Sequence, residues 1–488
     1  MTAMLAGMND FNGMNNIHPV GAVAVALATI AILSTSRVHV PAVLLALAAF
    51  IPSTQRIVIA GADFNFIRFV VLFGLIRVIA RGEFRWLRWN WIDTAVVVGA
   101  LARTVCSPVA RGSLNDLISS VGSNFELVGA YLLFRVSIRS LEDVRTTARS
   151  AAWICALAVP LFLVERATGR NLFSVFGGIP DITAIREGRI RCRGAFSHAI
   201  LAGCFFVSFL PLWIGLALRG RTRDRATALM GIVGGFLIVF CCASSTPVVA
   251  LLLGAMVWLA FPVRAHLRLL WITAIGCGFV VHFLMERGIW HLIGRIDLVG
   301  GSTGVHRARL IEAAIRQFGE WWMFGTASTA HWGWGLFDVT NQFILEGVRG
   351  GVWALLAMVV VLILGYRSVG VGLRWVAKLR VKLERSRQTK QSRDAALDEA
   401  TIFAIGAVLC AQMAIFLAVS YFGQTVVIWQ LAMALAASLC QMTSDFSIVG
   451  RSYASSPTMT PTRVPSVPSD GRLSVSPMPV LSRGSSCT

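Results

Sequence analysis

The chain has 488 residues, of which 56% are hydrophobic and 14% are charged, and its mean hydropathy is +0.71. This composition excludes an ordinary soluble protein, and the continuous apolar runs do not show the period-two alternation of a β-barrel. The net charge of +20 does not indicate nucleic-acid binding, because the basic residues collect in alternate loops between apolar runs. The composition therefore predicts an all-α polytopic membrane protein.

About a dozen apolar runs approach the roughly 20 residues that a helix needs to span a bilayer. The predicted spans are 18–34, 38–52, 58–76, 93–107, 121–134, 150–165, 198–218, 229–244, 247–262, 269–285, 343–364, 400–420 and 425–443. The first 36 residues contain no Lys or Arg, which predicts an uncleaved, external N-terminus and 13 spans. The alternative is 12 spans with an internal N-terminus, because the first two runs are short.

Loop charge predicts the orientation. Short loops rich in Lys and Arg remain in the cytoplasm, and four segments qualify: 77–88, 135–149, 219–225 and 367–393. The sequence then predicts one multi-span domain over residues 1–444, with long external loops at 166–197 and 286–342. The second of these loops is expected to fold into a short helical cap.

Two further segments are defined by composition. The basic segment 366–396 is predicted to be a cytoplasmic loop that contacts anionic lipid headgroups. Residues 445–488 are rich in Ser, Thr and Pro, which predicts a disordered cytoplasmic tail.

Four arginines occupy eight residues of the first external loop: Arg186, Arg189, Arg191 and Arg193. Because cationic loops normally stay inside, this cluster indicates an anionic ligand, and arginine suits phosphate oxygens through its planar fork. The alternative is arginines that snorkel to lipid headgroups. Arg191 and Arg193, nearest the next helix, are the predicted diphosphate-binding residues, with His198 in support.

A second basic segment lies on a predicted helix in the second external loop and reads His306-Arg307-Ala-Arg309. On a helix Arg307 and Arg309 point to different faces, so only one of them is expected to reach a ligand. Arg307 is predicted to bind the diphosphate with His306 in support. Arg309 is predicted to have a structural role by pairing with Glu312 or Glu320.

A third segment runs from His331 to Gly351 and places Asp338, Asn341 and Glu346 where the chain re-enters the membrane. Polar groups near the bilayer are functional candidates, although Asp338 or Asn341 could equally cap the next helix. The tryptophans of the same loop are typical of an aromatic belt at the membrane surface. Their alternative role is a stacking platform for sugar rings.

Together the three segments resemble the O-antigen ligase and polymerase superfamily over about residues 120–365. The resemblance rests on RGAFSHAILAG entering a helix, the Ser-rich CCASSTPVVALLLG, HRARLIEAAI in the external loop, and Thr340-Asn341 followed by nine residues and Gly351. In the ligases a His occupies the position of Thr340 and acts as the catalytic base. His331 and Asp338 are the residues that could replace it.

The resemblance implies a glycosyltransferase of the bacterial inner membrane whose active site faces the periplasm. The donor would be a glycan on an undecaprenyl diphosphate carrier, and the acceptor a second glycan or a lipid, in surface polysaccharide or exopolysaccharide synthesis. Arg191, Arg193 and Arg307 would hold the diphosphate, and Asp338, His331 and Asn341 would form the catalytic set. The supporting residues would be His198, His306, Arg309 and Glu346. No cofactor or metal is expected, and other polysaccharide assembly proteins are potential partners.

Two hypotheses from other classes remain open at this stage. A secondary transporter would place charged residues and broken helices at the bilayer midplane, often in matched halves. A non-catalytic scaffold of an envelope assembly complex would account for the missing motif His.

Overall fold

The computed structural model describes residues 17–59, 62–285, 288–295 and 304–454. Within these ranges the chain is an all-α polytopic membrane protein whose only strands form two short hairpins. The residues up to Asp445 form one compact unit, and residues 446–488 belong to a second unit. Within the second unit, the structure describes only the end of the last helix, up to Ala454. Most of the predicted tail, residues 455–488, lies outside the described residues.

The helices are α1 Pro19–Ser34, α2 Val40–Phe50, α3 Phe66–Ala80, α4 Trp91–Arg111, α5 Leu114–Ser137, α6 Leu141–Thr168, α7 Ala199–Val207, α8 Leu210–Arg219, α9 Thr222–Cys242, α10 Ser245–Met256, α11 Leu267–Leu284, α12 Gly304–Arg316, α13 Phe318–Trp321, α14 Gln342–Arg385, α15 Thr389–Phe416 and α16 Val426–Ala454. The strands pair antiparallel as β1 Arg56–Ile59 with β2 Ala62–Asn65, and as β3 Ile185–Arg186 with β4 Arg189–Ile190.

Short 3-10 turns complete the described secondary structure at Arg37–His39, Glu83–Trp86, Leu172–Phe176, Val257–Ala260, Arg264–His266, Ile289–Arg295, Ala330–Trp332 and Gly423–Thr425. Nine helices in the described ranges are long and apolar enough to cross a membrane, counting α7 and α8 together. Three shorter apolar helices accompany them, at Pro19–Ser34, Arg37–Phe50 and Ser245–Ala260. These numbers agree with the predicted multi-span architecture.

Two predicted boundaries are wrong. The run at 58–76 begins with the β1–β2 hairpin, and its helix starts only at Phe66, where Asn65 caps the amide of Arg68. The predicted loop 366–396 is helical on both sides of a short turn at 386–388, because α14 continues to Arg385. The predicted span 198–218 agrees with the apolar segment Ala199–Arg219, which is divided into α7 and α8 with Pro211 in the first turn of α8.

The helix α14 contains a break that matters for the site. Gly350 and Gly351 have non-helical backbone angles, and Gly351 has a φ of +63°, which favours glycine. At this break the amide of Val352 donates to the carbonyl of Trp322 at 2.7 Å. A Cβ on Gly351 would collide with the carbonyl of Met323. The glycine of the third sequence segment therefore lets the preceding loop dock on the helix backbone.

Helix lengths define two ends of the bundle. The pair α7–α8 leads away from His198, and α9 returns from Thr222 to Cys242, whose neighbour Cys241 accepts a hydrogen bond from the amide of Cys192 at 3.1 Å. We call the end that carries Cys192 the site end. The turn between α8 and α9 lies at the opposite end, roughly 30 Å away at 1.5 Å per residue.

Candidate functional site

The segment that carries Arg191 and Arg193 is anchored by a buried carboxylate. We call residues 189–198 the arginine loop. Glu165, near the end of α6, is fully buried and accepts the amides of Arg193 and Gly194, each at 3.0 Å. The hydroxyl of Thr183 donates to the same carboxylate at 2.7 Å. Glu165 therefore fixes the backbone from which the two arginine side chains project.

The arginine loop also fits closely against its neighbours. Gly194 has a φ of +55°, and a Cβ there would lie 2.5 Å from the ring of Phe162. The side-chain amide of Asn171 donates to the carbonyl of Gly194 at 2.8 Å, and that of Gln424 donates to the carbonyl of Ala195 at 2.7 Å. A residue with a side chain at position 194 would have to displace this packing.

Glu165→Gln should loosen the arginine loop, because one carboxylate oxygen becomes an NH₂ group that cannot accept the amide of Gly194. The loss of a buried acceptor costs about 1–3 kcal/mol, so amide exchange at Arg193 and Gly194 should accelerate about tenfold or more. Hydrogen–deuterium exchange measures this change. Glu187→Gln, the same substitution in the exposed β3–β4 turn, is the control and should leave exchange unchanged. Equal exchange in the wild type and Glu165→Gln would contradict the anchoring role.

His198 lies at the end of the arginine loop, as the residue that precedes α7. Desolvation and the positive charge of Arg193 lower the pKa of its imidazole, and Arg191 acts in the same direction. The Asp338 carboxylate opposes them and raises that pKa. The ring packs edge-on against Phe422 with centroids 5.6 Å apart. His198, Asp338 and the two arginines thus lie within electrostatic range of one another, and burial and the arginines favour the neutral imidazole.

Arg307 reaches the same end from α12. Its side chain is only 8% exposed, and Nη2 donates to Thr246 Oγ1, in the Ser-rich stretch, at 3.1 Å. Burial lowers the pKa of Arg307, with Cys204 of α7 as its nearby polar group. Arginine keeps its charge under such a shift. Arg307 is therefore a desolvated cation held between α12, α7 and α10.

The described part of the loop before α14 lies at the site end, where Arg307 of α12 contacts Thr246 of α10. We call residues 304–341 the cap. Its centre is a small hydrophobic cluster that includes Leu310 and Leu336. His306 Nε2 lies 3.2 Å from the backbone oxygen of Asp338. This contact holds the backbone of Asp338 against α12, the helix that carries Arg307. The cap therefore brings Asp338 towards the arginine loop.

Several buried polar atoms at this end have no hydrogen-bond partner within the described residues. They are Arg191 Nε, Arg193 Nε, Arg307 Nε and Thr340 Oγ1. Buried donors are normally satisfied, so unpaired donors on three arginines indicate a ligand that supplies acceptors. Burial and, to a smaller extent, the charge of Arg186 lower the pKa of Arg191, and a bound anion would offset both effects. The arrangement is suited to a phosphate-bearing ligand.

An apolar groove of about 590 Å³ borders the cap helix. Its lining includes Ile311, Ala314 and Ile315, which follow Arg307 at positions i+4, i+7 and i+8 and therefore share its helix face. Phe343 and Leu417 close the other side. The face that presents the buried arginine thus continues into a hydrocarbon-lined groove.

Two predicted site residues have structural partners instead. His331 is exposed and pairs with Glu320 at 2.9 Å. Desolvation raises the pKa of Glu320, but hydrogen bonds from Thr326, Trp332 and His331 outweigh it, so the pKa is lowered. Asn341 caps α14 by accepting the amide of Ile344 at 3.2 Å. Neither contact set reaches the arginine loop within the described residues.

Glu346, predicted as a supporting residue, is paired within the bundle. Arg103 of α4 contacts both of its oxygens at 3.0 Å, and Gln342 donates to it at 2.9 Å. Gln342 in turn accepts the amide of Tyr421 at 2.7 Å. Glu346 therefore joins α14 to α4 and to the segment that follows α15.

The other predicted arginines, Arg309, Arg186 and Arg189, lie at exposed positions. The predicted pairing of Arg309 is wrong, because Glu312 pairs with Arg316 and with His291, while Glu320 pairs with His331. Arg309 is exposed, on the face opposite Arg307 as predicted. Arg186 and Arg189 lie on the exposed β3–β4 hairpin, outside the buried part of the loop. The buried donors of Arg191, Arg193 and Arg307 at the site end therefore distinguish these three from the exposed arginines.

Sequence reasoning missed Glu165 and underrated His198. Glu165 lies at the end of an apolar span, 26 residues before Arg191. Because acidic residues near the bilayer are costly, its position indicates a functional or structural role, but the sequence does not show which groups it contacts. The sequence predicts His198 only in a supporting role. Arg191 and Arg193 lie beside it along the chain, but its approach to Asp338 exists only in the fold.

Comparison of the chain with protein-family models and with curated proteins finds no match.

Proposed function

We propose that the chain is a membrane glycosyltransferase of the O-antigen ligase or polymerase type, acting on a lipid-linked diphosphate glycan in the synthesis of a surface polysaccharide. The observation that carries this proposal is that Arg191, Arg193 and Arg307 each have an unpaired buried donor at the site end, within the described residues, and that His198 and the Asp338 carboxylate lie near the first two. The order of the sequence motifs that resemble this superfamily supports the same assignment.

The donor matches the site in two respects. The diphosphate would accept hydrogen bonds from the three arginines, whose forks and fixed charge suit phosphate oxygens. The polyprenyl chain would occupy the apolar groove that follows Arg307 along α12. A soluble sugar nucleotide would not need such a groove.

The reaction would be a direct displacement. The acceptor hydroxyl oxygen attacks the anomeric carbon of the donor, and the bond between that carbon and the phosphate oxygen breaks. The lipid diphosphate leaves with the electron pair, and the three arginines stabilise its growing negative charge. His198 accepts the hydroxyl proton, and the Asp338 carboxylate stabilises the imidazolium that forms. His198 thereby acts as the base, the role for which the sequence suggests His331 or Asp338.

The lipid intermediates of a deletion strain test this function. Loss of the chain should remove the surface glycan and increase the lipid-linked precursor, measured by mass spectrometry of extracted lipids. Full-length glycan on the carrier would identify a ligase, and single repeat units would identify a polymerase. Unchanged glycan and unchanged precursor would overturn the proposal, and solute uptake into proteoliposomes would then favour a transporter.

The pH dependence of transfer tests His198 as the proton acceptor. The pKa of His198 is below the ordinary value of about 6.5. The neutral form is required, so transfer should be full above the lowered pKa and decline as pH falls through it. Because Asp338 raises that pKa, Asp338→Asn should move the acid midpoint of the rate profile further down. His331→Asn should leave the midpoint in place; a shift in that control, or none in Asp338→Asn, would count against His198.

A further inference from the structure

A second cavity lies at the opposite end of the bundle, where the turn between α8 and α9 meets the start of α15. Its volume is about 890 Å³, within the range of small-molecule sites. We call it the basic cleft, and all of its lining residues lie on these two segments. Its charged lining comprises Arg219, Arg221, Arg225, Lys390, Arg393 and Asp394.

The cleft carries a surplus of positive charge that its one lining acid does not neutralise. Asp394 lies 3.7 Å from Arg221, and the nearby Asp224 is engaged with Arg149 at 2.8 Å. No ion pair is recorded within the described residues for Lys390 or Arg393. Like charges brought together around one cavity repel unless an anion occupies it.

The five basic residues of the cleft have two distinguishable roles. Arg225 is tied back to the carbonyl of Gly220 at 2.9 Å, and the guanidinium of Arg219 lies 6.0 Å from the ring centre of Phe261. Arg221, Lys390 and Arg393 are exposed and are available to a ligand. The first two residues therefore shape the cleft, and the last three would contact what binds there.

The backbone adds to the positive potential. The 21-residue helix α9 begins at Thr222 and the 28-residue helix α15 begins at Thr389, and both residues line the cleft. No side chain of Gln388 caps α15, whereas at the start of α9 Asp224 accepts the amide of Arg221 at 3.4 Å. The free amides of α15 favour negative charge, which reinforces the effect of the side chains.

From the cavity and its cations, we propose that the basic cleft binds a phosphate-bearing anion. Two sources share this chemistry: the headgroup of an anionic phospholipid, whose chains could contact Leu218 and Leu397 at the cleft, or a free soluble phosphate compound. The proposal is independent of glycan transfer, because the basic cleft and the arginine loop lie at opposite ends of the bundle.

The test compares two triple variants of the full chain in detergent. One is Arg221→Gln, Lys390→Gln and Arg393→Gln in the cleft. The control is Arg374→Gln, Lys378→Gln and Lys382→Gln, which removes the same charge from exposed positions of α14. Matching thermal unfolding of both triples with the wild type would establish that they are folded.

Binding is measured with phosphatidylglycerol, phosphatidylcholine and inorganic pyrophosphate as separate probes, by native mass spectrometry and by titration calorimetry. We expect saturable binding of an anionic probe by the wild type, a loss of affinity of about tenfold or more in the cleft triple, and less than about twofold in the control. Phosphatidylglycerol binding that pyrophosphate does not displace identifies a headgroup site, and displacement identifies a soluble ligand. Equal loss in both triples, or no saturable binding of either anionic probe, overturns the proposal.

Discussion

The Arg193→Gln variant should transfer glycan about 100- to 1,000-fold more slowly than the wild-type protein. Removing one preformed donor that stabilises developing charge costs about this much in other enzymes. Arg193 projects from a backbone fixed by Glu165, and its buried Nε has no other partner within the described residues, so neighbouring groups cannot easily replace it. Transfer from lipid-linked donor in isolated membranes measures the rate, with protein amount set by immunoblot.

Two matched variants sharpen this expectation. Arg307→Gln removes the cation on the cap helix and should cause a loss of similar size. Arg189→Gln removes the same charge from the exposed hairpin only four residues from Arg193, and should retain transfer within about threefold, in line with the small energies of exposed charges. If Arg189→Gln slows transfer as much as Arg193→Gln, general surface charge rather than a diphosphate site accounts for the cluster.

The Asp93→Asn variant should lose about 3–5 kcal/mol of stability, the usual result of removing one partner of a buried ion pair. Asp93 and Arg135 are both fully buried, and the guanidinium Nε lies 3.1 Å from the carboxylate. The hydroxyl of Tyr131 donates to the same carboxylate. With asparagine at position 93, Arg135 would keep a buried charge without its compensating anion. Unfolding in detergent, by heat or denaturant, measures the loss.

A double variant and an exposed pair serve as controls for this prediction. Adding Arg135→Gln to Asp93→Asn should restore part of the stability, because the uncompensated charge is then gone. Asp116→Asn breaks the exposed pair with Arg111 and should cost less than about 1 kcal/mol. Similar melting temperatures for Asp93→Asn and Asp116→Asn would show that burial does not set the strength of these pairs.

Several features of the site could be predicted from the sequence for local reasons. Arg307 and Arg309 occupy opposite faces of α12 because two positions along a helix turn the side chain by about 200°. The helix itself follows from apolar residues at helical spacing. Both conclusions depend on one segment only.

The sequence could not show which charged residues pair with one another. Glu312 has several cations within reach along the chain, and only the fold decides that it contacts Arg316 and His291 rather than Arg309. His331 and His198 are both histidines near an apolar segment. The fold places one against Glu320 and the other among Arg193, Arg191 and Asp338.

By itself, the sequence determined that the chain crosses a membrane many times as helices, because a backbone in lipid must satisfy its own hydrogen bonds and long apolar runs leave it no other form. It also singled out the arginine cluster. Only the tertiary structure decided that Glu165 holds that cluster, that Arg307 joins it from a loop more than 100 residues later, and that Glu346 and Asn341 stabilise the bundle. The physical reason is that these contacts join helices distant along the chain, and their geometry exists only once the helices pack.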